Sequence, residues 1–220
     1  IAVFLCLTVH ETCHGLAAYA LGDPTAKREH RLSLNPLRHI DWIGLLLMFA
    51  AGFGWAKPVP INEANFKKYG SGCFWTSAAG VIVNYLSAFI FYPLMVLAVR
   101  FMGSAEQLTY GHEFLFLFTN YLFAFSLSFC VFNLLPFYPL DGFRIVEAAS
   151  KRRGGFYRFL RKYGYYILIG LIAESYLCEM LVRLTGQSIF IVLDVLGYIM
   201  HFATGIFAKP VTALWGLILR

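Results

Sequence analysis

Five consecutive residues near the start of the chain, His10-Glu11-Thr12-Cys13-His14, form a pattern suited to metal chemistry. Residues i and i+4 lie on one face of a helix, so His10 and His14 can offer two imidazole nitrogens to the same zinc ion. Glu11, beside the first histidine, is placed to act as the general base when water attacks a bond. The pattern therefore predicts a zinc site that catalyses hydrolysis. A chance pair of histidines on one helix face is the alternative.

A catalytic zinc ion needs a third protein ligand, and Asp141 is the strongest candidate in the chain. It lies at the end of the segment Asn133-Leu-Leu-Pro-Phe-Tyr-Pro-Leu-Asp141. The two prolines in this segment break a helix, and Gly142 lets the chain turn, so the carboxylate can be directed back towards the histidines. The alternative is that Asp141 caps the helix expected after it.

Asn84 and His39 are two further polar candidates. Asn84 lies in the middle of an apolar run, where its amide could hold the scissile backbone or stabilise a tetrahedral oxyanion. A hydrogen bond between helices is the alternative for this side chain. His39 could approach the site as a ligand, although a position at the membrane interface is the more common setting for such a histidine.

The composition shows what kind of protein must position these residues. Hydrophobic residues make up 59% of the 220 residues and charged residues only 14%, whereas an ordinary soluble domain carries about 25% charge. Residues 69–99 and 114–140 contain no charge, and each is long enough for a spanning helix of about 20 residues. Residues 1–21, 163–184 and 188–208 are further candidate spans with polar interruptions. The composition argues against a soluble domain, a disordered chain and a nucleic-acid-binding module.

The basic residues predict the orientation of the spans. Of the 18 lysines and arginines, 14 lie within residues 22–41, 56–75 and 136–162, and the loop 102–113 has none. The positive-inside rule places the three basic loops in the cytoplasm and the loop 102–113 outside. Both ends of residues 42–56 then lie on the cytoplasmic side. This short, glycine-containing segment is therefore predicted to be re-entrant.

An extended stretch in residues 53–62 overlaps the end of the re-entrant segment. Pro58 and Pro60 forbid a helix there and leave a chain with an unpaired edge. Such an edge could pair with an unwound peptide substrate by adding it as a strand. A plain structural loop is the alternative.

The sequence resembles the site-2 protease family of intramembrane zinc metalloproteases. His10–His14 is similar to the HExxH motif of that family, and residues 133–142 are similar to its N-x-x-P…L-D-G signature. Three segments resemble a compact bacterial-type subgroup without a PDZ domain: Gly22-Asp-Pro-Thr-Ala-Lys, Leu34-Asn-Pro-Leu and Gly54-Trp-Ala-Lys-Pro-Val-Pro-Ile-Asn. The resemblance covers residues 8–147.

The resemblance implies roles for particular residues. The zinc ligands of the family correspond to His10, His14 and Asp141, and its general base corresponds to Glu11. An asparagine motif on the third helix is similar to Gly80-Val-Ile-Val-Asn84, although the family more often shows Gly-Pro where this chain has Gly80-Val81. One Zn²⁺ per chain is implied.

The predicted fold class is an all-α polytopic membrane protein with about five to six membrane segments. Residues 1–150 would form the catalytic core and residues 151–220 the C-terminal transmembrane helices. The resemblance implies that the short segment between the first and third segments is a re-entrant, β-like loop. It also implies a multi-pass protein of the cell membrane whose active site lies near the cytoplasmic side.

The expected function is cleavage of transmembrane or signal-peptide-derived protein substrates. The expected partners are these substrates and the lipid bilayer, and no nucleic-acid partner is expected. Two alternatives are a zinc-binding membrane scaffold without turnover and a metal-ion transporter. A scaffold predicts a damaged HExxH motif or a missing third ligand, and neither is seen. A transporter predicts more polar residues towards the outer face than the mainly Ser, Thr and Asn side chains of residues 75–135.

Overall fold

The computed structural model describes residues 1–51, 54–103, 110–150 and 154–219. The described residues are 81% helical, which confirms the predicted all-α class. The helices are α1 (Ala2–Ala20), α2 (Thr25–Arg28), α3 (Trp42–Ala51), α4 (Tyr69–Gly103), α5 (Tyr110–Leu134), α6 (Asp141–Ala149), α7 (Gly155–Thr185), α8 (Ile189–Leu193) and α9 (Val195–Ile218). The centre of the predicted outer loop, 104–109, and the basic cluster 151–153 lie outside the described residues.

Two of the described helices are long and apolar enough to cross a membrane. They are Tyr69–Met102, within α4, and α5. A spanning helix needs about 20 mainly apolar residues, and both helices exceed that length. The other long helices, α1, α7 and α9, carry polar or charged side chains along their length.

Three apolar clusters hold the helices together. Ala2 and Cys6 of α1 pack with Leu122 of α5, and Ala88 of α4 packs with Leu127 of α5 and Val211 of α9. Phe143 of α6 packs with Tyr157 and Leu160 of α7. The first two clusters fix α1, α4 and α5 against one another, and these are the helices that surround the candidate site.

The segment that contains α3 returns to its starting point. Ile40 and Ala56 form an isolated antiparallel bridge, and the N–H of Lys57 donates to the carbonyl of His39 at 2.8 Å. At 1.5 Å per residue, the ten residues of α3 are about 15 Å long, which is half the thickness of a hydrocarbon core of about 30 Å. Helix α3 by itself is therefore too short to cross a bilayer, and Ile40 and Ala56, on either side of it, lie next to each other.

The chain between α5 and α6 makes a tight turn at Asp141. Gly142 lies against the carbonyl groups at the end of α5, and a Cβ atom at this position would lie 2.5 Å from the carbonyl oxygen of Leu135. Only glycine allows this approach. The close turn places the first residue of α6, Asp141, beside α1, the helix that carries both histidines.

Candidate metal centre

Helix α1 presents two imidazole rings on one face. His10 and His14 are four residues apart, and they are 4% and 7% exposed. Their Nε2 atoms lie 2.9 Å apart, with the ring planes at 90° to each other. Both Nε2 atoms therefore face the same small volume, as the spacing of the motif predicts.

Asp141 reaches the same volume from the start of α6. Its Oδ2 atom lies 3.3 Å from Nε2 of His10 and 3.1 Å from Nε2 of His14. Ligands at about 2.0–2.1 Å from a tetrahedral zinc ion stand about 3.3 Å from one another. The two distances to Asp141 are close to this separation, and the 2.9 Å between the two Nε2 atoms is somewhat shorter.

The chemistry of these three groups also fits zinc. Two imidazoles and one carboxylate are a common ligand set for a catalytic site that keeps an open position. Oδ2 of Asp141 is buried beside the two Nε2 atoms but forms no hydrogen bond of regular geometry with a described residue, so a cation shared with the histidines would satisfy this atom. Burial by itself would raise the pKa of Asp141, but contact with His10 and His14 outweighs burial and holds this pKa below its usual range.

Glu11 lies in the same cleft as the three candidate ligands. The cleft has a volume of about 630 Å³, and the extended segment that contains Val59 forms its second wall. Oε2 of Glu11 accepts a hydrogen bond of 2.9 Å from the backbone N–H of Val59. Because Pro58 and Pro60 lack an N–H, Val59 is the only donor among these three residues. This bond holds the Glu11 carboxylate inside the cleft.

Helix α4 supports both histidines from behind. Thr76, Gly80 and Asn84 are spaced four residues apart and form one stripe along the helix. The Thr76 carbonyl oxygen lies 2.7 Å from Nδ1 of His14, and the Asn84 amide lies 3.1 Å from Nδ1 of His10. A Cβ atom at Gly80 would lie 2.5 Å from Nε2 of His14 and 2.6 Å from Cε1 of His10. The rings therefore pack directly on the backbone of α4.

The structure brings four of the six predicted site residues together, namely His10, Glu11, His14 and Asp141. Asn84 is fully buried behind His10 and is not among the residues that line the cleft. His39 lies outside the three-ligand group, and its Nε2 atom lies 2.7 Å from the carbonyl oxygen of Ser33.

Asp23 is a residue whose role the sequence did not indicate. It is 0% exposed and accepts hydrogen bonds from the N–H of Asn62 at 2.7 Å and the amide of Asn65 at 2.8 Å. These bonds tie the end of α1 to the extended segment that lines the cleft. Burial alone would raise the pKa of Asp23, but hydrogen bonds from Asn65 and Thr25 lower it below the usual value. The Gly22-Asp-Pro-Thr motif was the available signal.

Comparisons with known proteins identify the family. Residues 101–173 match the sequence profile of "Peptidase family M50". The chain is 41% identical over 154 residues to a protein of Bacillus subtilis (strain 168) named "Putative zinc metalloprotease YwhC". The chain belongs to peptidase family M50.

The M50 assignment confirms the resemblance to site-2 proteases, and this family is membrane-embedded. The profile match includes Asp141 and the turn before it, while the HExxH motif precedes the matched range. The alignment with the relative covers 67% of this chain and 66% of the relative, just under two thirds of its length. No solved structure matches the chain.

Membership of M50 supports a zinc-dependent protease as the broad class of this protein. Within that class, the geometry distinguishes three kinds of residue. His10, His14 and Asp141 converge on one point, Glu11 lies beside them in the cleft, and Asn84 lies behind a histidine ring.

Proposed function

We propose that this chain is an intramembrane zinc endopeptidase that hydrolyses peptide bonds within or near transmembrane segments. The observation that carries the proposal is the convergence of two Nε2 atoms and one carboxylate oxygen beside Glu11, in a cleft between apolar helices. Family membership supports the protease class. The position of the cleft beside α1 and α4 supports a reaction at membrane depth.

His10, His14 and Asp141 would hold one Zn²⁺ per chain. Zinc bound there would polarise the scissile carbonyl and make water a stronger nucleophile near neutral pH. The Glu11 carboxylate accepts a proton from the attacking water and passes it to the leaving amine. The N–H of Val59 keeps this carboxylate directed into the cleft before the substrate arrives.

The extended segment would bind the substrate backbone. Ile61 lines the cleft, and its backbone N–H and C=O have no hydrogen-bond partner among the described residues. An unwound peptide could pair with these groups as an added strand. This arrangement suits a substrate that is helical in the membrane, since its backbone hydrogen bonds must be replaced when it unwinds.

The proposed placement is multi-pass in the cell membrane, with five to six membrane segments and the active site near the cytoplasmic side. The paired ends of the α3 segment support a re-entrant loop, because a segment that returns beside its own start leaves the membrane on the side it entered. Residues 1–150 would form the catalytic core, and residues 151–220 would add helices around it. The partners would be the lipid bilayer and a single-pass or signal-peptide-derived protein.

Co-expression with candidate membrane substrates tests this function. Glu11→Gln should keep zinc and helix content but lose cleavage, because the amide cannot accept the proton. Asp141→Ala should lose zinc and cleavage together, because two ligands remain. Glu179→Gln, an exposed change in α7, is the control and should cleave like the native chain. Near-native cleavage by a folded, zinc-loaded Glu11→Gln variant would contradict the proposal.

A further inference from the structure

Each candidate zinc histidine has a second ring nitrogen, and both of these nitrogens face α4. Nδ1 of His14 lies 2.7 Å from the carbonyl oxygen of Thr76. Nδ1 of His10 lies 3.1 Å from the side-chain amide of Asn84. Helices α1 and α4 run antiparallel. His14, the later histidine in the chain, therefore contacts Thr76, and His10 contacts Asn84, which comes later in α4.

These second nitrogens decide which tautomer each ring adopts. A neutral imidazole that offers Nε2 to a metal carries its proton on Nδ1, and that proton needs an acceptor. The carbonyl oxygen of Thr76 can only accept a hydrogen bond. Its contact with His14 therefore selects the tautomer whose Nε2 lone pair faces Asp141.

The partner of His10 is an amide, which offers both an acceptor and a donor. Asn84 is 0% exposed, its Nδ2 atom faces His10, and its Oδ1 atom is buried without a hydrogen-bond partner. The oxygen and nitrogen of an amide have nearly the same shape, so a half-turn of the amide exchanges them without new space. The half-turn places the unpaired acceptor against Nδ1–H of His10.

We propose that Asn84 is a positioning residue that accepts the Nδ1 proton of His10 through Oδ1 and thereby directs Nε2 of His10 to the metal. This inference rests on the proposed zinc site. A direct contact with the substrate is a different role, and the location of Asn84 argues against it, because the side chain is fully buried and outside the cleft lining.

A measurement of zinc affinity distinguishes the positioning role of Asn84 from direct contact with the substrate. Asn84→Leu removes the acceptor and keeps the branched outline of the side chain, and Asn84→Asp keeps an acceptor but loses the donor. The zinc dissociation constant, measured by competition with a chelator in detergent, should rise about 10–100-fold for Asn84→Leu. Asn84→Asp should bind zinc as tightly as the native chain. Ser126→Ala is the control, because Ser126 is equally buried and its hydroxyl faces Cys6 rather than a histidine.

A spectroscopic measurement reads the hydrogen bond of His10 directly. In zinc-loaded protein with ¹⁵N-labelled histidine, the Nδ1 proton of His10 should be shifted downfield and exchange slowly with water in the native chain and in Asn84→Asp, and Asn84→Leu should lose both signs of a hydrogen bond. Native zinc affinity together with a native Nδ1 proton signal in Asn84→Leu would overturn the inference. So would an Asn84→Asp chain that keeps native helix content and binds zinc as weakly as Asn84→Leu.

These measurements do not depend on cleavage. If the native chain binds zinc but cleaves no membrane substrate, the proposed function fails and the role of Asn84 can still be measured. If Asn84→Leu keeps native zinc affinity and cleavage remains sensitive to Glu11→Gln, the positioning role fails and the proposed function stands.

Discussion

At the scale of single residues, the candidate metal centre depends on a position that has no side chain. Gly80 lies where the two imidazole rings contact α4, and a Cβ atom there would lie within 2.5–2.6 Å of both rings. Real Cβ contacts do not approach so closely, and the near atoms belong to rings whose positions are fixed by Thr76 and Asn84.

Gly80→Ala should therefore displace the histidines and lower zinc content and cleavage sharply. Alanine favours helix over glycine by about 1 kcal/mol, so loss of zinc would not result from loss of helix. Zinc per protein by elemental analysis and helix content by circular dichroism check this expectation. Gly70→Ala is the matched control in α4, because no atom lies within 4 Å of its added Cβ. Full zinc occupancy in Gly80→Ala would contradict the packing described.

At the scale of elements, hydrogen bonds from other parts of the chain hold the extended segment at several points along its length. The carboxylate of Asp23 binds Asn62 and Asn65, and Glu11 binds Val59. Arg31 donates to the backbone carbonyl of Pro58 at 3.2 Å. A segment without its own sheet thus acquires a defined position, since backbone groups of Pro58, Val59 and Asn62 are paired with side chains from α1 and from the residues that follow α1.

Asp23→Ala should loosen this segment. It leaves buried donors unpaired, and the free energy of unfolding at pH 7 should fall by about 3 kcal/mol. The folded pKa of Asp23 is lower than its unfolded value, so its contribution is complete above about pH 4 and is lost as pH falls through the folded pKa.

Thermal unfolding in detergent at pH 7 and pH 3 measures this contribution. The gap in unfolding midpoint between the native chain and Asp23→Ala should be smaller at pH 3 than at pH 7. Glu29→Ala, which removes an exposed carboxylate from the same region, should show no gap at either pH. An equal gap for Asp23→Ala at both pH values would show that the charge of Asp23 does not hold the segment.

At the scale of the whole molecule, the number of membrane crossings depends on the α3 segment. If residues 42–56 enter and leave on one side, the crossings before and after it alternate as the basic loops predict. If they crossed the membrane, the sides of every later loop would be exchanged. The bridge between Ile40 and Ala56 favours the re-entrant path.

Reporter fusions test the topology. Fusions at Arg31, Lys67 and Arg153 should report a cytoplasmic location, and a fusion at Glu106 should report an external one. The physical reason is the cost of moving lysine- and arginine-rich loops across the membrane. A cytoplasmic signal at Glu106 would contradict the re-entrant path of residues 42–56.

The sequence by itself determined the parts of the site that depend on local geometry. The i and i+4 spacing of His10 and His14 brings both rings to one face wherever a helix forms. Prolines and a glycine around Asp141 predict a turn that can direct its carboxylate inward, and the structure has that turn. The helical class followed from long apolar runs. That these three side chains bind zinc stays a prediction.

Only the tertiary structure decided which groups stand behind the histidines and beside Glu11. These groups are parts of the backbone, and no side-chain pattern in the sequence marks them. They are the carbonyl of Thr76, the bare backbone at Gly80 and the N–H of Val59. Asn84 was visible, but its contact depends on the register between two antiparallel helices, and a shift of one residue rotates a side chain by about 100°. Register is set by packing between segments far apart in the chain, so it becomes known only when the helices are assembled.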